Sequence, residues 1–376
     1  MSVEALTRAV AGHGLPTVCA AWPAEPLPDQ LWRAVLDRAK QQRFTGLLLD
    51  AVRAGSLPTS DAQYEDVAEA HLQATLRVLV VESASLPVIQ VLADSGIPSR
   101  VLKGSAVAHL DYPDPSLRHF GDLDLLVRSE DYDRTVEVLG AAGLKRARVQ
   151  ARPGFDRRFG KGATCRAADG REVDLHRTFV MGPFGLRIRL EDLWGPPAEF
   201  EVGGQVLHAL DAEGRFLHAC YHAAIGDVPP RLPPLRDVAQ MLLLGSVDEA
   251  RLRWLMERWQ AEAVVARAVR LTWATLGLQQ PVPLSRWALT HVPSGRQAQD
   301  LAVYVDPAKR SYAAKSLASL AAIPSWRDKA AFAYALARPR PGFVPPPAPH
   351  RDSAPVRHAV QAGVRQLRAA VKGHMR

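Results

Sequence analysis

The sequence predicts an α+β fold, a small mixed β-sheet core flanked by N-terminal and C-terminal helical regions. Three observations predict it. Between residues 97 and 210, short apolar runs alternate with helical stretches in the order strand, helix, strand, helix, then consecutive strands. Before Gly96 and after Asp211, apolar residues recur at three- and four-residue spacing, as helices burying one face require. The chain has 376 residues, 47% hydrophobic and 23% charged, enough for a sizeable core and two or more domains. The expected divisions are a helical region over 1–96, the sheet core over 97–210, a helical domain over 211–337 and a basic Pro/Arg-rich tail over 338–376.

Taken in order, Leu31-Trp32, Val35-Leu36 and Ala39 form the first helical stripe. Tyr64 to Leu92 reads as two helices, with Ser85 capping the second and Pro87 in its first turn. Asp94-Ser95-Gly96 closes that helix, and Ile97-Pro98 opens a strand that ends at Lys103 and breaks at Gly104-Ser105 into a helix. Leu123–Val127 is a strand. Ser129 then caps a helix that passes Val136 and Leu139 and stops at Gly143. Strands follow at Lys145–Val149, Phe159–Arg166 and Arg171–Arg177, with a loop at Arg152-Pro-Gly-Phe-Asp and a hairpin at Val202-Gly-Gly-Gln-Val. Phe216-Leu217, Cys220-Tyr221 and Ala224 mark a helix. Leu235–Leu244 is another, Val247 to about Ala274 a single long one, and Ser311–Ala337 is helical with a break at Pro324. Past the Pro-rich segment, Val356, Val360, Val364, Leu367 and Val371 trace a short basic amphipathic helix.

Composition excludes several classes. No run of about 18 apolar residues predicts a transmembrane helix, and no basic start followed by an apolar stretch predicts a secretion signal. Three scattered cysteines, Cys19, Cys165 and Cys220, argue against a disulfide framework and fit a reducing cytoplasm. The net charge is +8, but the tail from Arg338 holds eight basic residues and one acid, Asp352, leaving the body near neutral. An electrostatic partner is therefore expected to meet the tail, as a nucleic acid or a membrane surface. A solvated extension explains the same composition.

Asp122 and Asp124 are one residue apart at a predicted strand, so they project from the same face. Two carboxylates that close repel, and a divalent cation removes the cost. Asp174, in the alternating strand Arg171–Arg177, adds a third. Three convergent carboxylates suit a site for two magnesium ions, with water and substrate phosphate filling the remaining positions. Gly104 lets backbone approach a phosphate, the following helix offers free N–H groups, and Ser105 adds a hydroxyl. Lys103 and Arg118 supply positive charge for a triphosphate. His176 shares the Asp174 face. His218 and His222 lie one helical turn apart, without an obvious third metal ligand, and are expected to line the cleft or bond to Asp237. Arg236 is expected to reach a phosphate or to be solvated.

Lys103-Gly-Ser, Tyr112-Pro, Arg118 and Gly121-Asp-Leu-Asp-Leu-Leu-Val together resemble the polymerase-β-like nucleotidyltransferase superfamily. Val173-Asp-Leu-His, Leu217-His-Ala-Cys-Tyr-His and Leu235-Arg-Asp-Val are similar to a bacterial group within it described as uncharacterised nucleotidyltransferases. The resemblance spans Val78 to Leu244 and extends only loosely to the later helices. It implies that Gly104 and Ser105 hold the nucleotide's β- and γ-phosphates, that Asp122 and Asp124 bind two Mg2+ ions, and that Asp174 activates an acceptor hydroxyl. It further implies transfer of a nucleoside monophosphate from a triphosphate, expected to be ATP, with release of pyrophosphate. Asp122 follows Gly104 by 18 residues, more than in compact members, which leaves the intervening loop's geometry open. The near-neutral body favours a small molecule, peptide or protein as acceptor. Two alternatives remain at this stage: a catalytically idle binding protein on the same fold, and an RNA-modifying transferase.

Overall fold

The computed structural model describes residues 1–16, 22–245 and 247–345. Cys19 and the helix expected beyond Val356 lie outside the described residues. Four helices come first: α1 (Val3–Gly12), α2 (Asp29–Gln42), α3 (Thr45–Arg53) and α4 (Asp61–Asp94). The sheet segment follows as β1 (Ser99–Leu102), α5 (Gly104–Asp111), β2 (Leu123–Val127), α6 (Tyr132–Ala141), β3 (Lys145–Arg146), α7 (Phe155–Phe159), β4 (Gly162–Arg166), β5 (Glu172–His176), α8 (Pro183–Arg187), β6 (Ala198–Val202) and β7 (Gln205–Ala209). Helices close the described chain: α9 (Ala212–Ile225), α10 (Leu232–Leu244), α11 (Glu249–Trp259), α12 (Glu262–Leu276), α13 (Pro283–Thr290), α14 (Gly295–Val305), α15 (Tyr312–Ala322) and α16 (Trp326–Ala337). The predicted α+β class is the observed one.

The seven strands form one mixed sheet in the order β3-β4-β5-β2-β1-β7-β6. β2 is antiparallel to β1 and parallel to β5. Strand alternation sorts the two faces. Leu123, Leu125 and Val127 of β2 and Val173 and Leu175 of β5 join one apolar cluster with Val88 and Leu92 of α4 and Leu139 of α6. Leu102 and Leu126 face the opposite side, where a larger cluster runs through α1–α3 and α9–α12 without interruption. The N-terminal and C-terminal helices are therefore packed into one core over the face that also carries Asp124. Arg236 helps join them: this buried guanidinium donates to the carbonyls of Ala11 (3.1 Å) and His13 (2.7 Å) and to Gln240 (2.6 Å). It is neither solvated nor placed to meet a phosphate, contrary to expectation.

Several boundaries differ from the sequence-based expectations. Tyr64–Leu92 is part of a single 34-residue helix, not two. Ser85 does not cap; its hydroxyl donates back to the Val81 carbonyl at 2.6 Å. Pro87 removes one intrahelical N–H, but the carbonyl left unpaired is that of exposed Ser83, where solvent can reach, and the helix continues. The same helix is long and apolar enough, by length and composition only, to cross a membrane, although charged and polar residues interrupt its apolar runs. Ser129 does not cap α6, whose N-cap is Asp131. Strand β3 ends at Arg146, and Phe155–Phe159 is helical because both phenylalanines turn to one side to meet Phe332 of α16. The long helix expected from Val247 is split at Gln260, whose left-handed backbone (φ 52°) separates α11 from α12.

Candidate active site

The site lies where β1 ends and β2 begins, alongside β5 and beside the N-terminus of α5. Parallel pairing sets Asp124 directly opposite Asp174, and Leu126 opposite His176. Because strand side chains alternate, Asp174 and His176 share the Asp124 face while their neighbours enter the core. Antiparallel pairing with β4 places Thr164 opposite Asp174, and its hydroxyl donates to Asp174 Oδ1 at 2.7 Å. Gly162 permits that register, since a Cβ there would collide with the Leu175 carbonyl.

Asp124 is 2% exposed. Its Oδ1 accepts from Lys103 Nζ and from His176 Nε2, each at 2.7 Å. Burial alone would raise its pKa, but the Lys103 charge, reinforced by His176, holds the carboxyl well below the usual carboxylate range. His176 is pushed down to about 4 by burial and by Lys161, against the pull of Asp124. A neutral imidazole donating to an ionised carboxylate carries its proton on Nε2, which leaves Nδ1 a buried acceptor without a hydrogen-bond partner among the described residues. Lys103 adopts φ 46° and ψ −136°, a conformation that L-residues rarely take, at the N-cap of α5. That strain aims the ammonium at Asp124.

Asp122 precedes the first residue of β2, so strand alternation does not govern it. It is half exposed and faces Arg43 Nη1 at 3.7 Å. Asp122, Asp124 and Ser105 border a narrow recess against Val81 and Glu82 of α4. Within it the Ser105 hydroxyl donates to Glu82 Oε1 at 2.7 Å, and His109 meets the same oxygen at 2.9 Å. Burial raises the Glu82 pKa, but these hydrogen bonds outweigh it and hold the carboxyl below its ordinary value. Gly104 opens α5 against Phe120; a Cβ there would come within 3.2 Å of that ring.

The group that converges is Asp124, Asp174 and His176, whose ligand atoms lie within 4.8 Å of one another. Two carboxylates suit magnesium, and the imidazole also suits manganese or zinc. The donor set therefore fits a divalent cation, which would compete with Lys103 for Asp124.

Beyond these residues a cleft of about 590 Å³ opens. Lys103, Asp174, His176, His218 and His222 line it, as does Lys161, which the sequence did not single out. Its only local signal is a lysine between two glycines ahead of a strand. Burial and the nearby Lys103 lower the Lys161 pKa to about 8. His218 stacks on Phe179, with ring centroids 4.6 Å apart, and His222 faces Asp227 at 3.8 Å. Neither bonds to Asp237, and neither joins a metal-binding group among the described residues.

Asp237 instead receives Arg118 through two bonds (2.7 and 3.2 Å) and the Tyr112 hydroxyl (3.0 Å). Arg118 is thus a clamp between the sheet core and α10, and its two bonds to Asp237 occupy it in this structure. Glu82 and Arg43 also went unnoticed in the sequence. An acid inside the apolar run Leu79–Leu86 was a legible sign of the first, whereas Arg43 reaches Asp122 across 79 positions with no local cue.

Among solved structures the chain is similar to that of the antibiotic-resistance factor ANT(2'')-Ia, at 14% identity and TM-score 0.33, covering 54% of this chain and 95% of that one. It is also similar to an antigenic nucleotidyltransferase-like protein from Paracoccidioides brasiliensis, at 16% identity and TM-score 0.32, covering 57% and 97%. No curated protein matches the chain. The family model described as uncharacterised nucleotidyltransferase matches residues 28–277, two thirds of the sequence and every residue of the site above. The chain belongs to that family and is a nucleotidyltransferase.

Proposed function

We propose that this enzyme moves a nucleoside monophosphate from a nucleoside triphosphate, ATP in the first instance, to a hydroxyl of a small molecule or peptide. The observation that carries this reading is the in-register pair Asp124 and Asp174 on adjoining parallel strands, with His176 beside them and the α5 N-terminus at the same sheet end. The acceptor oxygen attacks the α-phosphorus, a new O–P bond forms, and the bond to the β-phosphate breaks. Pyrophosphate leaves with the electron pair. The hydroxyl proton passes to Asp174, whose Oδ1 Thr164 orients and whose other oxygen accepts no hydrogen bond among the described residues.

Asp124, Asp174 and His176, with Asp122 at the mouth, would hold divalent cations, magnesium being the expected ion. Bound there, such ions neutralise phosphate charge and acidify the attacking hydroxyl. The α5 N–H groups at Gly104 and Ser105 receive the terminal phosphates. Ser105 does so through backbone, because its hydroxyl is engaged by Glu82. Lys103, released from Asp124, and Lys161 counter charge at the α-phosphate.

The test is incubation with α-labelled triphosphates, magnesium and a panel of hydroxyl acceptors, alongside Asp124→Asn and Asp174→Asn. Label transfer that both variants abolish supports the reading. Nucleotide binding without any transfer would favour an idle binding protein. Absence of nucleotide binding by calorimetry would sink the proposal.

A further inference from the structure

Helix α4 buries one side only. Val67 and Ala70 join the larger apolar cluster, and Val88 and Leu92 join the one against β2 and β5. The opposite side carries Leu72, Leu76, Leu79 and Val80. These are 51%, 48%, 53% and 68% exposed and enter no apolar cluster among the described residues. Single surface leucines are ordinary, but four large apolar side chains on consecutive turns of one helix mark a face that meets something.

Their spacing says what kind of surface fits them. Leu72, Leu76, Leu79 and exposed Ser83 follow one another at intervals of four, three and four residues. That is the repeat by which one helix seats its side chains between those of another. A lipid surface suits the stripe poorly. Helices that lie on membranes border their apolar face with Lys and Arg, whereas the exposed charges of α4 are Asp61, Glu65, Asp66, Glu69 and Asp94 against Arg77. Glu69 and Arg77 stand on either side of Leu72 and Leu76 with opposite signs. Two copies of α4 laid antiparallel about a two-fold axis near residue 74 set Leu72 of one opposite Leu76 of the partner subunit. The same axis brings Glu69 towards Arg77 of the partner subunit, twice by symmetry. A parallel arrangement would instead set Glu65 and Glu69 against their own copies. We propose that this face of α4 is a homodimer interface, formed by antiparallel packing of α4 on α4 of a second copy, with Leu72, Leu76, Leu79 and Val80 at its centre. One short stripe makes a small contact, so a dissociation constant on the order of 10 μM is expected. This goes beyond the proposed reaction and does not depend on it.

The experiment is sedimentation velocity of the full chain from about 1 to 100 μM. Monomer is expected to give way to dimer across that range. Leu76→Glu should weaken association at least about tenfold and, because Leu76 is half exposed, leave the melting temperature near the parent's. Arg77→Glu and Glu69→Arg should each weaken it about threefold to tenfold, and the two together should restore it, since the exchanged charges face each other again. If Leu76→Glu fails to fold, the charge exchange decides by itself. A chain that stays monomeric throughout overturns the proposal. So does a dimer that Leu76→Glu leaves intact, or one that single charge reversals weaken and the double reversal does not restore. Dimerisation only after removal of residues 346–376 would assign the face to that segment. Binding of the monomer to phosphatidylglycerol vesicles, abolished by Leu76→Glu, would assign it to lipid. Either result overturns the pairing of copies.

Discussion

Asp124 shows how one residue's chemistry depends on its surroundings. It is buried, yet Lys103 and His176 keep it ionised. Asp124→Asn should abolish transfer and, by leaving Lys103 without its charge partner, lower the melting temperature as well. A variant as stable as the parent would contradict the pairing. The buried histidines make a second prediction. His119 and His176 are held at about 4 and His222 at about 3, each chiefly by burial. In the unfolded chain they titrate near 6.5, so on acidification the unfolded state binds protons that the native state refuses. Their contribution is complete above about pH 6.5 and is lost as pH falls toward 4. Urea midpoints should therefore drop steeply between pH 6.5 and 4.5, and a flat profile would refute it. The lysines act at the other end. Lys161 and Lys315 release protons near pH 8 when folded but near 10.4 when unfolded, so their penalty fades as pH rises across that window. Lys161→Gln should flatten that rise.

At the scale of elements, the alignment of β4, β5 and β2 decides the site. Each strand contributes one side chain to the same row: Thr164, Asp174 and Asp124. Gly162 lets β4 close onto β5, because any Cβ meets the Leu175 carbonyl. Gly162→Ala should cost about 1–3 kcal/mol, as overpacking at a rigid contact does. By moving Thr164 from Asp174 it should also reduce kcat more than nucleotide affinity. Unchanged turnover in a folded Gly162→Ala would show that Thr164 does not position Asp174. Helix α4 has a comparable role on the other side. Glu82, buried on it, is the anchor that holds Ser105 and His109 of α5.

For the whole molecule, the question is what holds the helices over the sheet. Arg118 and Tyr112 converge on Asp237 of α10, Arg215 of α9 holds Asp111 of α5 with two bonds at 2.8 and 2.9 Å, and Arg236 ties α10 to the end of α1. These clamps cross the wall between the core and the helices that border the cleft. Breaking a buried ion pair from one side costs about 3–5 kcal/mol. Asp237→Ala should lose stability of that order, and a double-mutant cycle with Arg118→Ala should show strong coupling. Additive losses would mean the two residues act independently.

How much of this was legible follows from distance along the chain. Apolar spacing, the Gly104-Ser105 turn, and the alternation that sends Val173 and Leu175 one way and Asp174 and His176 the other are local patterns. They carry the α+β class, most helices and the shared face of Asp174 and His176. Strand β3 was overextended and α4 was divided because burial against partners far away in the chain overrode local turn and cap signals. Arg118 shows the same limit: its charge suggested phosphate, but only the folded chain brings Asp237 to it across 119 positions. The sequence alone determined that Asp174 and His176 stand on one strand face, opposite Val173 and Leu175. Tertiary structure alone decided which of them meet, which charges are already paired, and that Lys161 joins Lys103 and Asp174 along one cleft, because pairing and burial are set by residues distant in the chain.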